Sequence, residues 1–178
     1  MNIQNAIRHG GCFVIVRQGG GILFGRHSYP SGKHPAGMWG LLGGGIFAGE
    51  DPETAAMREA REEANLVVHP DDLSLVATLK CGELVLLYEA HTADLSEMRP
   101  DGKEISELRV FSPHEIAGDT GTILPAQRKM AGLYYNHWLE NGRVISDFIS
   151  NDHPSQLDPW PTPIEPPLIK LMRTANTR

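Results

Sequence analysis

A run of three glycines followed by a short, strongly capped acidic helix constrains this chain more than any other feature. Residues 43–66 read GGGIFAGEDPETAAMREAREEANL. Contiguous glycine loses much backbone entropy on folding, so we expect it only where the backbone conformation or a close approach requires it. Asp51 is a good N-cap, Pro52 suits the first helical position, and Asn65 can adopt the left-handed conformation that ends a helix. The stretch therefore predicts a helix from Pro52 to Ala64.

Three carboxylates share one face of this predicted helix. Glu59, Glu62 and Glu63 fall within about 100° of one another when the helix is projected at its usual period. Such pairs repel by roughly 0.2–0.5 kcal/mol each on an exposed helix. Arg58 and Arg61 flank the three but cannot neutralise all of them, whereas a divalent cation could. Magnesium prefers hard oxygen ligands and is commonly shared with substrate phosphates. The alternative is an ordinary solvated, arginine-laced helix face.

Read from Gly44, the stretch has the pattern G-x5-E-x7-R-E-A-x-E-E-x-N-L. This pattern resembles the Nudix box, G-x5-E-x7-R-E-U-x-E-E-x-G-U with U aliphatic, at every fixed position but one. Asn65 replaces the last glycine, and Leu42 stands where many family members have proline before the glycine pair. Neither departure removes a chemical group, and the resemblance covers about residues 8–140.

The resemblance implies an α/β fold, the Nudix-type α/β/α sandwich with a mixed β-sheet. It also implies hydrolysis of a diphosphate linkage in a nucleoside diphosphate derivative, with Mg²⁺ or Mn²⁺ as cofactor. The implied metal ligands within the box are three carboxylates and one carbonyl: Gly44, Glu59, Glu62 and Glu63. By the same resemblance Arg58 orients this cluster by ion pairing, and Glu50 braces the loop or Arg58.

The general base and a further metal ligand are less closely specified. A carboxylate would take a proton as water attacks phosphorus, and family members place that base either in the box or on a later loop. Within the box we assign it to Glu59. Outside the box Glu104 and Glu107 are the candidates, because many members carry an additional acidic residue just before the corresponding strand. Glu104 is the one that we assign as a further metal ligand, although a solvated loop carboxylate is the alternative.

Substrate contacts are predicted from the loop and strand before the box. Arg26, Lys33 and His34 flank this loop and could meet phosphates, although exposed loop charges are the alternative. Trp39 and Tyr29 could stack on a base, although an aromatic residue on a strand more often belongs to the core.

The rest of the chain fits the same fold class. Its hydrophobic patterning predicts strands over residues 12–16, 22–24, 73–80, 83–91 and 107–111, a helical turn over 113–117, and a long helix from Leu124 to about Leu139. We expect a Nudix hydrolase domain over residues 1–150 and a Pro-rich C-terminal extension over residues 151–178. Six of the 13 prolines fall between Pro154 and Pro167, which forbids a regular helix there. This extension is expected to pack along the body or onto a partner subunit of a homodimer, with disorder as the alternative.

Composition excludes several other classes of protein. The chain has 22 acidic and 16 basic residues, a net charge of −6, which argues against a protein that binds long nucleic acid. Cys12 and Cys81 are too few and too far apart for a disulfide scaffold or a cysteine-rich zinc site. No apolar run approaches the roughly 18 residues of a membrane helix, and no signal peptide is visible. We expect a cytoplasmic protein that acts on a small nucleotide, away from membranes.

Two features narrow the substrate class, and two rival functions stay open. ADP-ribose-specific relatives tend to have a proline near the position of Cys81, where this chain has none. Relatives that cleave dinucleoside polyphosphates often have a tyrosine near that position, and after the box this chain has none until Tyr88. Nucleoside triphosphates, including damaged ones, or nucleotide sugars are therefore favoured. The rivals are a non-catalytic nucleotide-sensing Nudix domain and an isoprenyl diphosphate isomerase, which would need a catalytic cysteine motif that is not seen around Cys12 or Cys81.

Overall fold

The computed structural model of the chain describes residues 10–30, 35–81, 83–91 and 95–135. These ranges contain seven strands: β1 (Gly11–Gln18), β2 (Gly21–His27), β3 (Trp39–Gly40), β4 (Leu42–Gly45), β5 (Leu73–Cys81), β6 (Glu83–Ala90) and β7 (Ile105–Phe111). They also contain three α-helices, α1 (Pro52–Ala64), α2 (Pro113–Gly118) and α3 (Pro125–Leu133), and a 3₁₀ turn over Pro70–Asp72.

The strands form one mixed sheet with β1 near its centre. Its order is β3-β2-β1-β6-β5, while β4 pairs with β1 and β7 pairs with β2. β1 runs antiparallel to β2 and β4 and parallel to β6. The β1–β2 hairpin turns through Gly19 and Gly20, whose positive φ angles of 57° and 84° suit glycine. The parallel β1–β6 pair needs a long crossover, and that crossover contains α1.

Helices cover both faces of the sheet because the buried strand β1 presents apolar side chains to both sides. Cys12 and Val14 belong to the core cluster that α1 closes, whereas Ile15 belongs to the cluster that α2 and α3 close. Successive side chains of a strand point to opposite faces, which accounts for this division. α1 contributes a stripe of fully buried small residues: Ala55, Ala56, Ala60 and Ala64. The predicted α/β sandwich with a mixed sheet is confirmed.

The predicted elements are confirmed with small shifts at their ends. α1 has the predicted bounds, Pro52–Ala64, and β7 begins at Ile105 instead of Glu107. α3 runs over Pro125–Leu133, and Tyr134 and Tyr135 follow it in a wider turn. The predicted continuation of that helix to about Leu139, the domain limit at residue 150 and the Pro-rich extension lie outside the described residues.

Within the described ranges, α1 is the longest helix, and none of the helices has the length and apolar character that crossing a membrane requires.

Candidate active site

The ends of α1 are fixed by the side chains that the sequence indicated. The carboxylate of Asp51 accepts hydrogen bonds from Glu53 N (3.0 Å) and Thr54 N (3.4 Å), which have no partner inside the helix. Asn65 is left-handed, with φ of 54° and ψ of 26°, and its N–H donates to Arg61 O at 3.0 Å. Asparagine therefore ends this helix in the conformation usually given to glycine, so the departure from the box pattern leaves the geometry intact.

Arg58 holds the acidic groups of the box together. Its Nε and Nη2 donate to the two oxygens of Glu50 at 2.8 and 3.0 Å, a bidentate ion pair. Its Nη1 donates to Glu59 at 2.8 Å and to Glu62 at 3.2 Å, and its Nη2 also donates to Gly45 O at 3.0 Å. The ion pairing predicted for Arg58 is present, and it joins the loop, the helix and the last residue of β4.

Glu50 braces both Arg58 and the loop before α1. Its Oε2 accepts a hydrogen bond from Phe47 N at 2.9 Å, and the hydrogen bonds from Arg58 hold the pKa of the Glu50 carboxyl below its usual range. The guanidinium carbon of Arg58 lies 4.1 Å from the centroid of the Phe47 ring, which is a cation–π contact. The loop before α1 therefore contacts the Arg58 guanidinium through two of its side chains, the carboxylate of Glu50 and the ring of Phe47.

The three carboxylates of the box occupy unlike environments. Glu63 is only 4% exposed, and burial raises its pKa to about 8 although Gly43 N donates to its Oε2 at 2.8 Å. Burial also raises the pKa of Glu59, against the hydrogen bond from Arg58. The side chain of Glu62 is 61% exposed. The packing of α1 against the sheet therefore buries the carboxyls of Glu59 and Glu63 and leaves that of Glu62 in solvent.

Glycine is required at position 43 of β4, and a side chain at position 44 would displace the carboxyl of Glu59. A Cβ at Gly44 would lie 2.6 Å from Glu59 Oε1, and a Cβ at Gly43, where φ is 145°, would lie 2.1 Å from Cys12 O. Residues 43 and 44 pair with β1 in the sheet. The bare backbone lets α1 bring Glu59 and Glu63 against β4, which explains two of the three contiguous glycines.

The two acidic candidates outside the box, Glu104 and Glu107, have different neighbours. Burial is the largest cause of the raised pKa of Glu59 and of Glu63, and the negative charge of Glu104 contributes to both shifts. Glu107 instead pairs with Arg26, with Oε2 and Nη1 3.4 Å apart. Glu104 as a further metal ligand stays a prediction, and the turn that precedes it contacts α1 where Asp101 N donates to Glu63 O at 3.2 Å.

The predicted substrate residues are placed unevenly. Arg26 is half-exposed and its Nε donates to Gly37 O at 3.2 Å, so it anchors the end of the loop before β3. Trp39 is buried and packs edge-on against Phe111, 5.2 Å between ring centroids. Tyr29 is exposed. Lys33 and His34 lie outside the described residues. Contacts of these side chains with a substrate stay predictions, and the observed packing of Trp39 is that of a core residue.

Cys12 lies beside the glycines of β4 but is not a reactive thiol. It pairs with Gly44 in the sheet and is completely buried, and burial raises its pKa to about 11. The thiolate is the nucleophilic form, so this residue is inert near neutral pH. The environment of Cys12 is therefore unlike that of a catalytic cysteine, and the side chain of Cys81 lies outside the described residues.

The donor set suits a hard divalent cation, although the side chains are held in ion pairs. Carboxylates beside a backbone carbonyl are the ligands that Mg²⁺ prefers. Glu63 is buried and accepts a hydrogen bond from the neutral N–H of Gly43, so a divalent cation would further compensate its negative charge. In the part of the chain that the structure describes, no three acidic, histidine or cysteine side chains already meet as a ligand set, and Arg58 holds Glu59 and Glu62.

Sequence reasoning missed the segment that follows β6 and reaches the end of α1. The side-chain amide of Asn65 donates to Glu97 O at 2.9 Å, and Asp101 N donates to Glu63 O at 3.2 Å. The sequence contains one local signal for this segment: Asp101-Gly102, just before Glu104, is a residue pair typical of turns. Its contact with α1 is not encoded locally.

Comparison with known proteins agrees with this geometry. The family model described as the NUDIX domain matches residues 7–133. An oxidized purine nucleoside triphosphate hydrolase of Danio rerio is 35% identical over 107 residues, which are 53% of this chain and 65% of that protein. The chain spans less than two thirds of the length of the curated relatives that it matches.

Solved structures show the same fold. A NUDIX hydrolase from Nitrosomonas europaea matches with a TM-score of 0.61 and 21% identity, over 80% of each chain. A MutT NUDIX hydrolase from Burkholderia pseudomallei matches with a TM-score of 0.55 and 24% identity, over 68% of this chain and 93% of that one. At these identities the likeness concerns the fold alone.

Proposed function

Because this chain belongs to the Nudix family, we propose that it hydrolyses a diphosphate linkage in a nucleoside triphosphate, with Mg²⁺ or Mn²⁺ as cofactor. The observation that carries this proposal is the set of glutamates that Arg58 holds beside β4, where Gly43 has no room for a side chain and a side chain at Gly44 would displace Glu59. The name of the Danio rerio relative, an oxidized purine nucleoside triphosphate hydrolase, favours triphosphates over nucleotide sugars.

We assign the cation to oxygen ligands from β4, α1 and the turn before β7. The proposed ligands are the Gly44 carbonyl and the carboxylates of Glu59, Glu62, Glu63 and Glu104. When bound, the cation would draw charge from the phosphoryl oxygens and lower the pKa of the attacking water. Arg58 would keep the carboxylates oriented before substrate arrives, which reduces the reorganisation that the reaction requires.

The base is assigned to Glu59, with Glu104 as the second candidate. Glu59 is buried and its pKa is raised by that burial, which suits a group that must accept a proton. In the proposed step, water attacks a phosphorus of the diphosphate linkage, the carboxylate takes the water proton, and the bridging P–O bond breaks. The products are a nucleotide shortened by the leaving group and a free phosphate or pyrophosphate.

A phosphate-release screen tests the proposal. Purified protein is incubated with nucleoside triphosphates, 8-oxo-dGTP, nucleotide sugars, ADP-ribose and dinucleoside polyphosphates, with Mg²⁺, Mn²⁺ or EDTA, and with added phosphatase. Cation-dependent release from triphosphates is expected. Silence across the panel, with measurable nucleotide binding, would favour the nucleotide-sensing domain instead.

The variant Glu62→Gln tests the ligand assignment by loss of activity. It removes a ligand charge while nearly keeping shape, so kcat should fall by orders of magnitude, and the unfolding free energy should change little because the side chain is largely exposed. Glu53→Gln, an exposed position on the same helix outside the fixed box pattern, is the control and should keep turnover. Near-wild-type turnover in Glu62→Gln would contradict the ligand assignment.

A further inference from the structure

The segment over residues 97–101 is fastened to the end of α1. Three hydrogen bonds fix it: from Asn65 Nδ2 to Glu97 O (2.9 Å), from Arg99 N to Ala64 O (3.1 Å) and from Asp101 N to Glu63 O (3.2 Å). The last carbonyls of a helix have no partner inside it. Two of those carbonyls are satisfied by this segment, so its register along the helix is set, and one of them belongs to a proposed ligand residue.

Asp101 then orders the turn that leads into β7. Its Oδ1 accepts a hydrogen bond from Ile105 N at 2.8 Å and its Oδ2 accepts one from Glu104 N at 3.1 Å. Gly102, with φ of 73°, closes the turn by donating to Ile105 O at 2.9 Å. The Asp101 carboxylate therefore accepts hydrogen bonds from two consecutive backbone N–H groups, those of Glu104 and Ile105, where the turn enters β7.

The backbone of Glu104 is also held from the opposite side. Its carbonyl accepts a hydrogen bond from Ser28 N at 2.8 Å, just after β2. The turn that carries Glu104 lies against α1, because Asp101 N donates a hydrogen bond to Glu63 O at 3.2 Å. Glu104 thus stands between the end of α1 and the loop after β2, and Asp101 supplies the bonds that come from the α1 side.

We propose that Asp101 is a positioning residue, whose carboxylate holds the turn that presents Glu104 to the acidic cluster of the box. This rests on the proposed function, in which Glu104 is a metal ligand or base. Asp101 acts through backbone N–H groups, so its effect on the reaction should pass entirely through Glu104. Residues that support metal ligands in this indirect way typically change affinity or activity by about 10- to 100-fold when they are replaced.

A double-mutant cycle tests this route. Asp101→Asn, which keeps one acceptor oxygen, and Asp101→Ala, which keeps none, are made in the wild type and in Glu104→Gln. Turnover of a nucleoside triphosphate and the affinity for Mn²⁺ alone, from the electron paramagnetic resonance of the free ion, are measured for each. Each Asp101 variant should lower kcat about 10-fold or more in the wild type. In the Glu104→Gln background the further loss should stay within about twofold, because the two residues act as one unit.

Asp119→Asn is the matched control. Asp119 also orders a turn by accepting backbone N–H groups, from Gly121 (3.1 Å), Thr122 (3.1 Å) and Ile123 (3.0 Å), in a turn before α3. Its effects should be the same in both backgrounds, as expected of a residue that contributes only to stability. Urea unfolding of every variant separates loss of fold from loss of positioning.

The outcomes separate the two proposals. Losses from Asp101 replacement that are equal in both backgrounds would overturn the positioning role and leave the proposed function standing. An Asp101→Asn variant with wild-type turnover and Mn²⁺ affinity, beside an impaired Glu104→Gln, would do the same. A wild-type protein with neither turnover nor Mn²⁺ binding would overturn the proposed function itself.

Discussion

At the scale of single residues, identical side chains on one helix face have different chemistry because burial separates them. Glu59 and Glu63 are 8% and 4% exposed, whereas Glu62 stands in solvent. A buried carboxylate is disfavoured in its charged form unless a cation or hydrogen bonds compensate. Glu59 has a hydrogen bond from Arg58, and Glu63 has one from Gly43 N. The charge of Glu63 is therefore the most costly in the box.

This difference gives the cation-free protein a pH-dependent stability. The pKa of Glu63 is raised to about 8 in the folded state, above that of an unfolded glutamate. The folded state binds the proton more tightly, so the contribution of Glu63 is fully present at acidic pH and is lost as pH rises through about 8. In EDTA, wild type should lose unfolding free energy relative to Glu63→Gln between about pH 5 and pH 9.

Urea unfolding of both proteins across that range measures the difference. Glu62→Gln serves as the control and should track wild type, since its side chain is exposed. A constant difference between wild type and Glu63→Gln at all pH values would show that the carboxyl stays ionised and that its burial is compensated.

At the scale of elements, both ends of α1 are fixed by capping residues that can be recognised in the sequence. Asp51 and Asn65 act on backbone groups within a few residues of themselves, so the bounds of the helix were predictable. β7 illustrates the opposite case. Ile105 is buried and pairs with His27 of β2, a partner far away along the chain, so the beginning of that strand could not be located from the local pattern.

The left-handed residue at the end of α1 can be tested by substitution. Asn65→Ala forces a Cβ-bearing residue without a compensating side chain into φ of 54°, at about 1–2 kcal/mol. Asn65→Gly restores the residue of the usual box and removes only the amide bond to Glu97, about 0.5–1.5 kcal/mol. Both variants lose that amide bond, so Ala should be less stable than Gly by about 1 kcal/mol.

Equilibrium urea unfolding decides between them, with Asn65→Asp as the control because aspartate also tolerates the left-handed conformation. Equal stability of the Ala and Gly variants would mean that the helix end rearranges, and that the backbone conformation of Asn65 contributes little.

At the scale of the whole molecule, the candidate site depends on chain crossings that no local pattern contains. The β1–β4 pairing holds Gly43 and Gly44 next to α1, and the β2–β7 pairing holds the turn before β7 near the end of the same helix. The box pattern named Glu59, Glu62 and Glu63 from spacing alone. It could not distinguish Glu104 from Glu107, because their neighbours come from distant parts of the chain: Glu107 pairs with Arg26, and Glu104 O accepts a hydrogen bond from Ser28 N. The core position of Trp39 has the same origin.

A site assembled from distant elements should couple cation binding to global stability. The proposed ligands come from β4, α1 and the turn before β7, and unfolding separates them, so a cation that binds only the folded state stabilises all of it. At a free Mn²⁺ concentration about 100 times its Kd, the gain should be about 2.7 kcal/mol. Thermal unfolding with Mn²⁺, Mg²⁺ or EDTA measures it, at constant ionic strength set with KCl.

The ligand variants locate the effect. Glu59→Gln and Glu63→Gln should lose most of the rise in Tm, because each removes an anionic ligand, whereas Glu53→Gln on the same helix should keep it. Glu104→Gln should lose part of the rise if that carboxylate joins the site from the turn before β7. A rise that persists in Glu59→Gln and Glu63→Gln would place cation binding elsewhere on this acidic protein. It would also show that the box carboxylates are not the ligands of the cation that stabilises the protein.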